Sequence, residues 1–259
     1  MKELLIRSIS GIVGLILIIF ITMKGGALLS GLVLLLSLVG LYEFYTALEN
    51  VKYKPIKIIG YLFAIALFFR NLAFNLLSLE FLIAIFLTLL LIIPVFKKEV
   101  SFQDTAVTFL SMFYIPFFLN HIVYLDKVKY IWLVYIIAWG TDTFAYISGN
   151  LFGTKKLCPS ISPNKTIGGS IGGVLGSVLL TVLFSKFMGL KEIGALIILG
   201  IVVSIIAQLG DLAASKIKRA TKIKDFGNII PGHGGVLDRF DSILLTAPAV
   251  YYYIKYFFT

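Results

Sequence analysis

The sequence predicts an all-α, polytopic integral membrane protein with about nine transmembrane helices, and three observations carry that expectation. Of its 259 residues, 59% are hydrophobic and only 14% charged, where soluble domains average about 25% charged. Mean hydropathy is +0.99. The apolar runs are roughly 17 to 25 residues long, enough for a helix to cross a hydrocarbon core of about 30 Å while satisfying its own backbone hydrogen bonds.

Taken in order, the expected spans are residues 6–23, 25–45, 56–69, 72–95, 105–125, 129–151, 167–186, 192–212 and 242–258. Lys2 and Arg7 precede the first apolar run as in a signal peptide, but no small-residue cleavage site follows, so the span is read as retained. The third span is short and Arg70 ends it, which makes it tilted, re-entrant or extended toward Lys54.

Nine spans put the termini on opposite faces, and the basic residues decide the orientation. Sixteen of the 23 Lys and Arg fall at the N-terminus and in the loops after spans two, four, six and eight; the other face holds Lys24, Arg70, Lys127, Lys129, Lys186, Lys191 and Lys255. The first face is therefore the cytoplasmic one. The net charge of +10 then reflects loops drawn to an anionic lipid surface, not nucleic-acid binding. Cys158 is the only cysteine, which excludes an intramolecular disulfide and a thiolate cluster, and His121 with His233 are too few for a zinc site.

Polar groups concentrate in three places. Residues 215–241 pack Lys216, Lys218, Arg219, Lys222, Lys224 and Arg239 beside Asp225, Asp238 and Asp241, a mixture suited to a phosphorylated ligand held through metal ions. Asp142 lies near the middle of the sixth span, where a carboxylate costs at least about 2.5 kcal/mol. Asp142, Tyr146 and Asn150 recur every four residues, so they share a helix face aimed at a protein interior or wet cavity. Asp211 sits near the cytoplasmic end of the eighth span, and on a continuing helix Asp211, Ser215, Lys218 and Lys222 would line one side.

Spans six and eight end on the island's face and span nine begins there, so carboxylates from several segments can converge. Hard oxygen ligands favour Mg²⁺, bound through one or two carboxylates plus substrate phosphates. Plainer readings stand beside these. Asp142 could pair with a lysine to fix packing, residues 216–224 could be a positive-inside anchor, and Pro231–Gly235 could be only a turn. Those glycines also let backbone N–H groups approach phosphate, with a helix start just beyond. Gly168, Gly169, Gly172, Gly173 and Gly176 are read as helix packing.

The island resembles the signature of the phosphatidate cytidylyltransferases, or CDP-diglyceride synthetases. Its elements are Ser215, Lys218, Arg219, Lys224 and Asp225, then Pro231, His233, Gly234 and Gly235, then Asp238, Arg239 and Asp241. The resemblance extends back through Asp142 to Gly153 and Ser162 to Gly169, about the C-terminal half, whereas the first 128 residues share only hydrophobicity. Members of that family commonly read Ser-Pro-Lys-Lys-Thr-x-Glu-Gly after span six, where this chain has Asn164 and Gly168 but keeps Lys165 and Thr166. No role that needs the acidic side chain carries over.

The resemblance implies condensation of CTP with phosphatidic acid to CDP-diacylglycerol and pyrophosphate. It divides the chain into N-terminal helices over 1–128 and a catalytic region over 129–259 with a cytoplasmic loop at 213–241. Asp211 and Asp238 are the expected leading metal ligands, with Asp142, Asp225 and Asp241 behind them, for one or two Mg²⁺ ions and with a monovalent cation as a further candidate. Lys165, Ser215, Lys218, Arg219, Lys224 and Arg239 are expected to contact phosphate, Gly234 and Gly235 to let it approach, and His233 to orient a phosphate or the nucleotide. Expected partners are CTP, phosphatidic acid, the lipid bilayer and a second copy in a homodimer; the expected location is a bacterial inner membrane. A CTP-dependent lipid kinase is the rival enzyme, and an anion or lipid-headgroup transporter lacks the repeated halves it would need. The four spaced aspartates of CDP-alcohol phosphotransferases are absent.

Overall fold

A computed structural model describes residues 2–73 and 77–258, with residues 2–6 described by their backbone alone. The elements are α1 (Lys2–Lys24), α2 (Gly26–Glu49), α3 (Lys57–Leu72), α4 (Leu79–Phe96), α5 (Phe102–Met112), a π-helical turn (Phe113–Phe117), α6 (Phe118–Tyr124), α7 (Ile131–Phe152), β1 (Lys156–Cys158), β2 (Ser162–Thr166), α8 (Ile167–Phe187), α9 (Ile193–Ala220) and α10 (Leu237–Phe257). The fold is helical as expected. Among the described residues seven segments are long and apolar enough to cross a membrane, so the count of nine is not confirmed. The two that fall short are α3, at 16 residues, and α10, which carries Asp238, Arg239, Asp241 and Lys255. Residues 74–76 of the expected span 72–95 lie outside the described residues, as does Thr259.

Three sequence expectations change in detail. The span expected at 105–125 is not one continuous α-helix: Pro116 has no N–H to donate, and the chain widens into a π turn around it. The loop after the sixth span folds into an antiparallel hairpin, β1 on β2. Helix α9 ends at Ala220, and Lys222 adopts a φ of 59° beyond it. Lys222 therefore does not continue the stripe of Asp211, Ser215 and Lys218.

The chain divides into two compact units, Met1–Asp126 with Ala220–Arg239, and Lys127–Arg219 with Phe240–Thr259. In the first unit, acids finish helix starts whose first N–H groups have no partner within the helix. Ser101 and Asp104 form a capping box on α5, and Asp104 Oδ1 also accepts the Lys54 N–H at 2.6 Å. Asp126 Oδ2 accepts the Gly26 N–H at 2.7 Å at the start of α2. Phe63, Phe86, Leu67, Leu82, Leu90 and Met112 form its core, with the Phe63 and Phe86 rings edge to face at 5.2 Å. Lipid tails are as apolar as these side chains, so the gain comes from close packing more than from leaving solvent. The outward faces stay apolar, as at Ile12, Val13 and Ile16 of α1.

In the second unit α7 packs along α8. Gly169, Gly172, Gly173 and Gly176 of α8 face Thr141, Phe144, Ala145 and Ser148 of α7, and a Cβ on Gly176 would overlap the Phe144 ring. The glycine spacing thus serves helix approach, as the sequence suggests. Helix α9 is joined to this pair by polar contacts. Thr141 Oγ1 donates to Ser204 Oγ at 2.8 Å, and Ser170 and Gln208 bond through both ends of the amide, at 2.5 Å and 3.2 Å. Tyr253 of α10 donates to the Ala195 carbonyl at 2.7 Å.

Candidate functional site

A cleft of about 480 Å³ opens within the second unit, inside the range of small-molecule sites. Helix α7 supplies Asp142, Tyr146 and Asn150 from one face, the three positions spaced by four residues. The hairpin supplies Lys156, Asn164 and Lys165, and α9 supplies Gln208 and Asp211. Thr166 caps α8 by accepting the Gly169 N–H at 3.1 Å, which fixes where the hairpin ends and the helix begins. Glycines at 149, 153 and 169 leave the wall open where α7, the hairpin and α8 meet.

The cleft holds opposed charges. Lys165 Nζ lies 2.5 Å from Asp211 Oδ2, each side chain about one-quarter exposed. Asp211 Oδ1 accepts from Ser215 Oγ at 3.4 Å, one helical turn on. The Asp142 carboxylate accepts from Ser242 Oγ at 3.1 Å, which compensates part of its burial. Asp241 of α10, its Oδ1 accepting the Ser242 N–H at 2.8 Å, is in electrostatic range of Asp211, Asp142 and Lys218. Three acids from α7, α9 and α10 and two lysines thus gather in one unit. Among the described residues no group of three His, Cys, Asp or Glu side chains is close enough to hold a metal ion unaided. The set suits an ion that draws its other ligands from water and substrate phosphates.

Most of the remaining signature residues lie in the first unit. Asp238 is buried, and its Oδ2 accepts the Phe226 N–H at 2.8 Å and the Gly235 N–H at 3.0 Å. One of its oxygens therefore holds the loop. Gly232 and Gly234, at φ 74° and 86°, make turns that a side chain would strain, and Ile230 and Gly234 close an isolated bridge. His233 Nδ1 sits 2.9 Å from Ser10 Oγ, which also donates to the Pro231 carbonyl at 3.0 Å. Lys224, Asp225 and Arg239 are exposed. In the second unit Arg219 is exposed and Lys218 half-buried at the end of α9.

Sequence reasoning passed over Glu43 altogether. It is 1% exposed, and its two oxygens accept the Val236 N–H at 2.8 Å and the Leu237 N–H at 2.9 Å. The signal was a carboxylate inside an apolar span, a position costly unless used. The anion that the start of α10 receives is this carboxylate, and the Gly235 N–H is taken by Asp238.

Fold and cleft together define a multi-pass helical membrane protein with a charged, ligand-sized site. Its sequence matches the Cytidylyltransferase family over residues 5–257. It is 37% identical over 252 residues to a phosphatidate cytidylyltransferase of Staphylococcus epidermidis, covering 94% of this chain and 96% of that one. The identity is 37% to the phosphatidate cytidylyltransferase of Staphylococcus haemolyticus over the same shares, and 34% over 253 residues to that of Staphylococcus aureus, again over 94% and 96%. The chain belongs to the cytidylyltransferase family.

Proposed function

We infer that the protein is a phosphatidate cytidylyltransferase, which joins CTP to phosphatidic acid and releases pyrophosphate to make CDP-diacylglycerol for phospholipid synthesis. The observation that carries this reading is the cleft where Lys165 and Asp211 meet beside Asp142, in a chain that matches the family over residues 5–257.

A phosphate monoester is already an anionic nucleophile near neutral pH, so no strong general base is required. An oxygen of the phosphatidate phosphate attacks the α-phosphorus of CTP. A new P–O bond forms, the bond from the α-phosphorus to the bridging oxygen breaks, and its electron pair leaves on pyrophosphate. The obstacle is repulsion between two anions, so the protein's task is positioning and electrostatics. Lys165 and Lys218 supply positive charge near the acids, and Ser215 orients Asp211 through its hydroxyl. Lys224, Arg219 and Arg239 are exposed cations that the signature assigns to phosphate.

The oxygen donors of Asp211, Asp142 and Asp241 fit Mg²⁺, and Asp238 is proposed as a ligand on the signature alone. Bound there, the ion would screen the two anions and stabilise charge on departing pyrophosphate. The sixteen basic residues on one face support a cytoplasmic-membrane location with the cleft turned inward. The acyl chains would then remain in the bilayer while the headgroup reaches the nucleotide. A homodimer is part of the proposal by family likeness.

Purified protein in mixed micelles, given CTP, phosphatidate and Mg²⁺, should release pyrophosphate in step with CDP-diacylglycerol. Release of CDP with a newly phosphorylated lipid would instead establish the lipid kinase reading.

A further inference from the structure

One face of α2 grips the loop that carries the signature. Gly40, Glu43 and Phe44 stand at positions i, i+3 and i+4, so they point the same way. At Gly40 the helix surface is flat enough for Leu237 to seat against it, and a Cβ there would come within 3.0 Å of Leu237 Cδ2. Phe44 meets Phe226 at 6.2 Å between ring centroids. Between them Glu43 crosses a sequence separation of 193 residues to reach Val236, and 194 to reach Leu237. Cβ atoms on Gly227 and Gly235 would each come within 2.6 Å of Glu43 Oε1. Two glycines on opposite limbs of the loop thus make room for one carboxylate.

The loop is closed from inside by a second carboxylate. Asp238 ties Phe226 to Gly235 through a single oxygen, and Glu43 ties the next two N–H groups to α2. Four consecutive or facing backbone donors, those of Phe226, Gly235, Val236 and Leu237, are committed to two acids. Hydrogen bonds to charged acceptors are the strong ones, and both acids are buried.

We propose that Glu43 is a positioning residue for cytidylyl transfer, setting the conformation in which the loop presents Asp238 and Arg239. This rests on the function proposed above. Glutamine at this position would offer one acceptor oxygen and turn its NH₂ toward a backbone N–H, so two donors would face each other. Aspartate would keep the charge but fall one methylene short. The dependence is therefore on a carboxylate of this length, not on volume.

The test compares Glu43→Gln, Glu43→Asp and the wild type in detergent, by steady-state kinetics and by amide hydrogen exchange. Glu43→Gln should lower kcat about 10-fold to 100-fold, from the loss of a charged hydrogen bond, with KM for phosphatidate unchanged. Glu43→Asp should recover part of that loss. Exchange should quicken in residues 226–238 and stay slow in α3 and the π turn. Wild-type kcat and exchange in Glu43→Gln would overturn the proposal. So would faster exchange across the whole unit with the kcat of the folded fraction intact, which is the mark of a merely structural role. Should the wild type not convert CTP and phosphatidate at all, the proposed function fails, and the exchange data alone then report whether Glu43 holds the loop.

Discussion

Lys165, on the hairpin, and Asp211, on α9, meet at 2.5 Å inside the cleft. The pair is partly wet, and an ion pair at such exposure stabilises a fold by at most about 1 kcal/mol. Stability is therefore a poor reason for it. Two opposite charges held in the cleft proposed for a phosphorylated substrate and its counter-ion are better explained by chemistry.

Replacing Lys165 with Met should lower kcat/KM for CTP by about 10² to 10³, the usual loss on removing one charge-stabilising group. Folded yield should change little. Asp211→Asn should do the same, and the double variant should be no worse than about either single one, because the two act as a unit. Pyrophosphate release from purified variants checks all three.

Chelation with EDTA should abolish activity, and Mg²⁺ should restore it. Asp211→Asn should raise the Mg²⁺ concentration for half-maximal rate by about tenfold or more if its carboxylate binds the ion. Mg²⁺ titrations that superimpose for variant and wild type would remove Asp211 from the ligand set.

Asp238 separates structure from chemistry. Asn keeps an acceptor oxygen for the Phe226 and Gly235 N–H groups, so Asp238→Asn should stay folded. Its activity should nonetheless fall about 100-fold if the charge is needed. Full activity in Asp238→Asn would leave Asp238 as a loop fastener alone.

Helix approach gives a stability prediction. Gly176→Leu would force a side chain into the Phe144 ring and should destabilise the second unit by about 1–3 kcal/mol. Gly194, with nothing within 4 Å of a Cβ, should accept Ala without loss. Thermal melting in detergent, followed by tryptophan fluorescence, distinguishes the two.

Much of this was legible from residue order, and the limits have physical causes. Apolar runs announce helices because each span must satisfy its own backbone in lipid. Asp142, Tyr146 and Asn150 could be placed on one face by periodicity alone. Periodicity could not show the hairpin at 156–166, whose pairing depends on where α7 ends and Thr166 caps α8. Nor could it show that α9 stops at Ala220, since Lys216, Lys218, Arg219 and Lys222 dominate residues 216–222 and leave no apolar period. Glu43 is marked only as a carboxylate in an apolar span; its partners, backbone N–H groups about 193 residues away, leave no trace near it that would say what it holds.

Orientation has its own check in Cys158, the only cysteine of the chain, half-buried at the end of β1. A membrane-impermeant maleimide should label it in inverted vesicles and not in intact spheroplasts. Labelling from outside would reverse the proposed topology.

The most direct test of the central claim follows the phosphorus itself. With CTP labelled at the α-phosphate, the account predicts label in the lipid product; with CTP labelled at the γ-phosphate, it predicts label in pyrophosphate and none in lipid. Lipid labelled from the γ-position would mean that the enzyme transfers a phosphoryl group, and the cytidylyl-transfer account would be wrong.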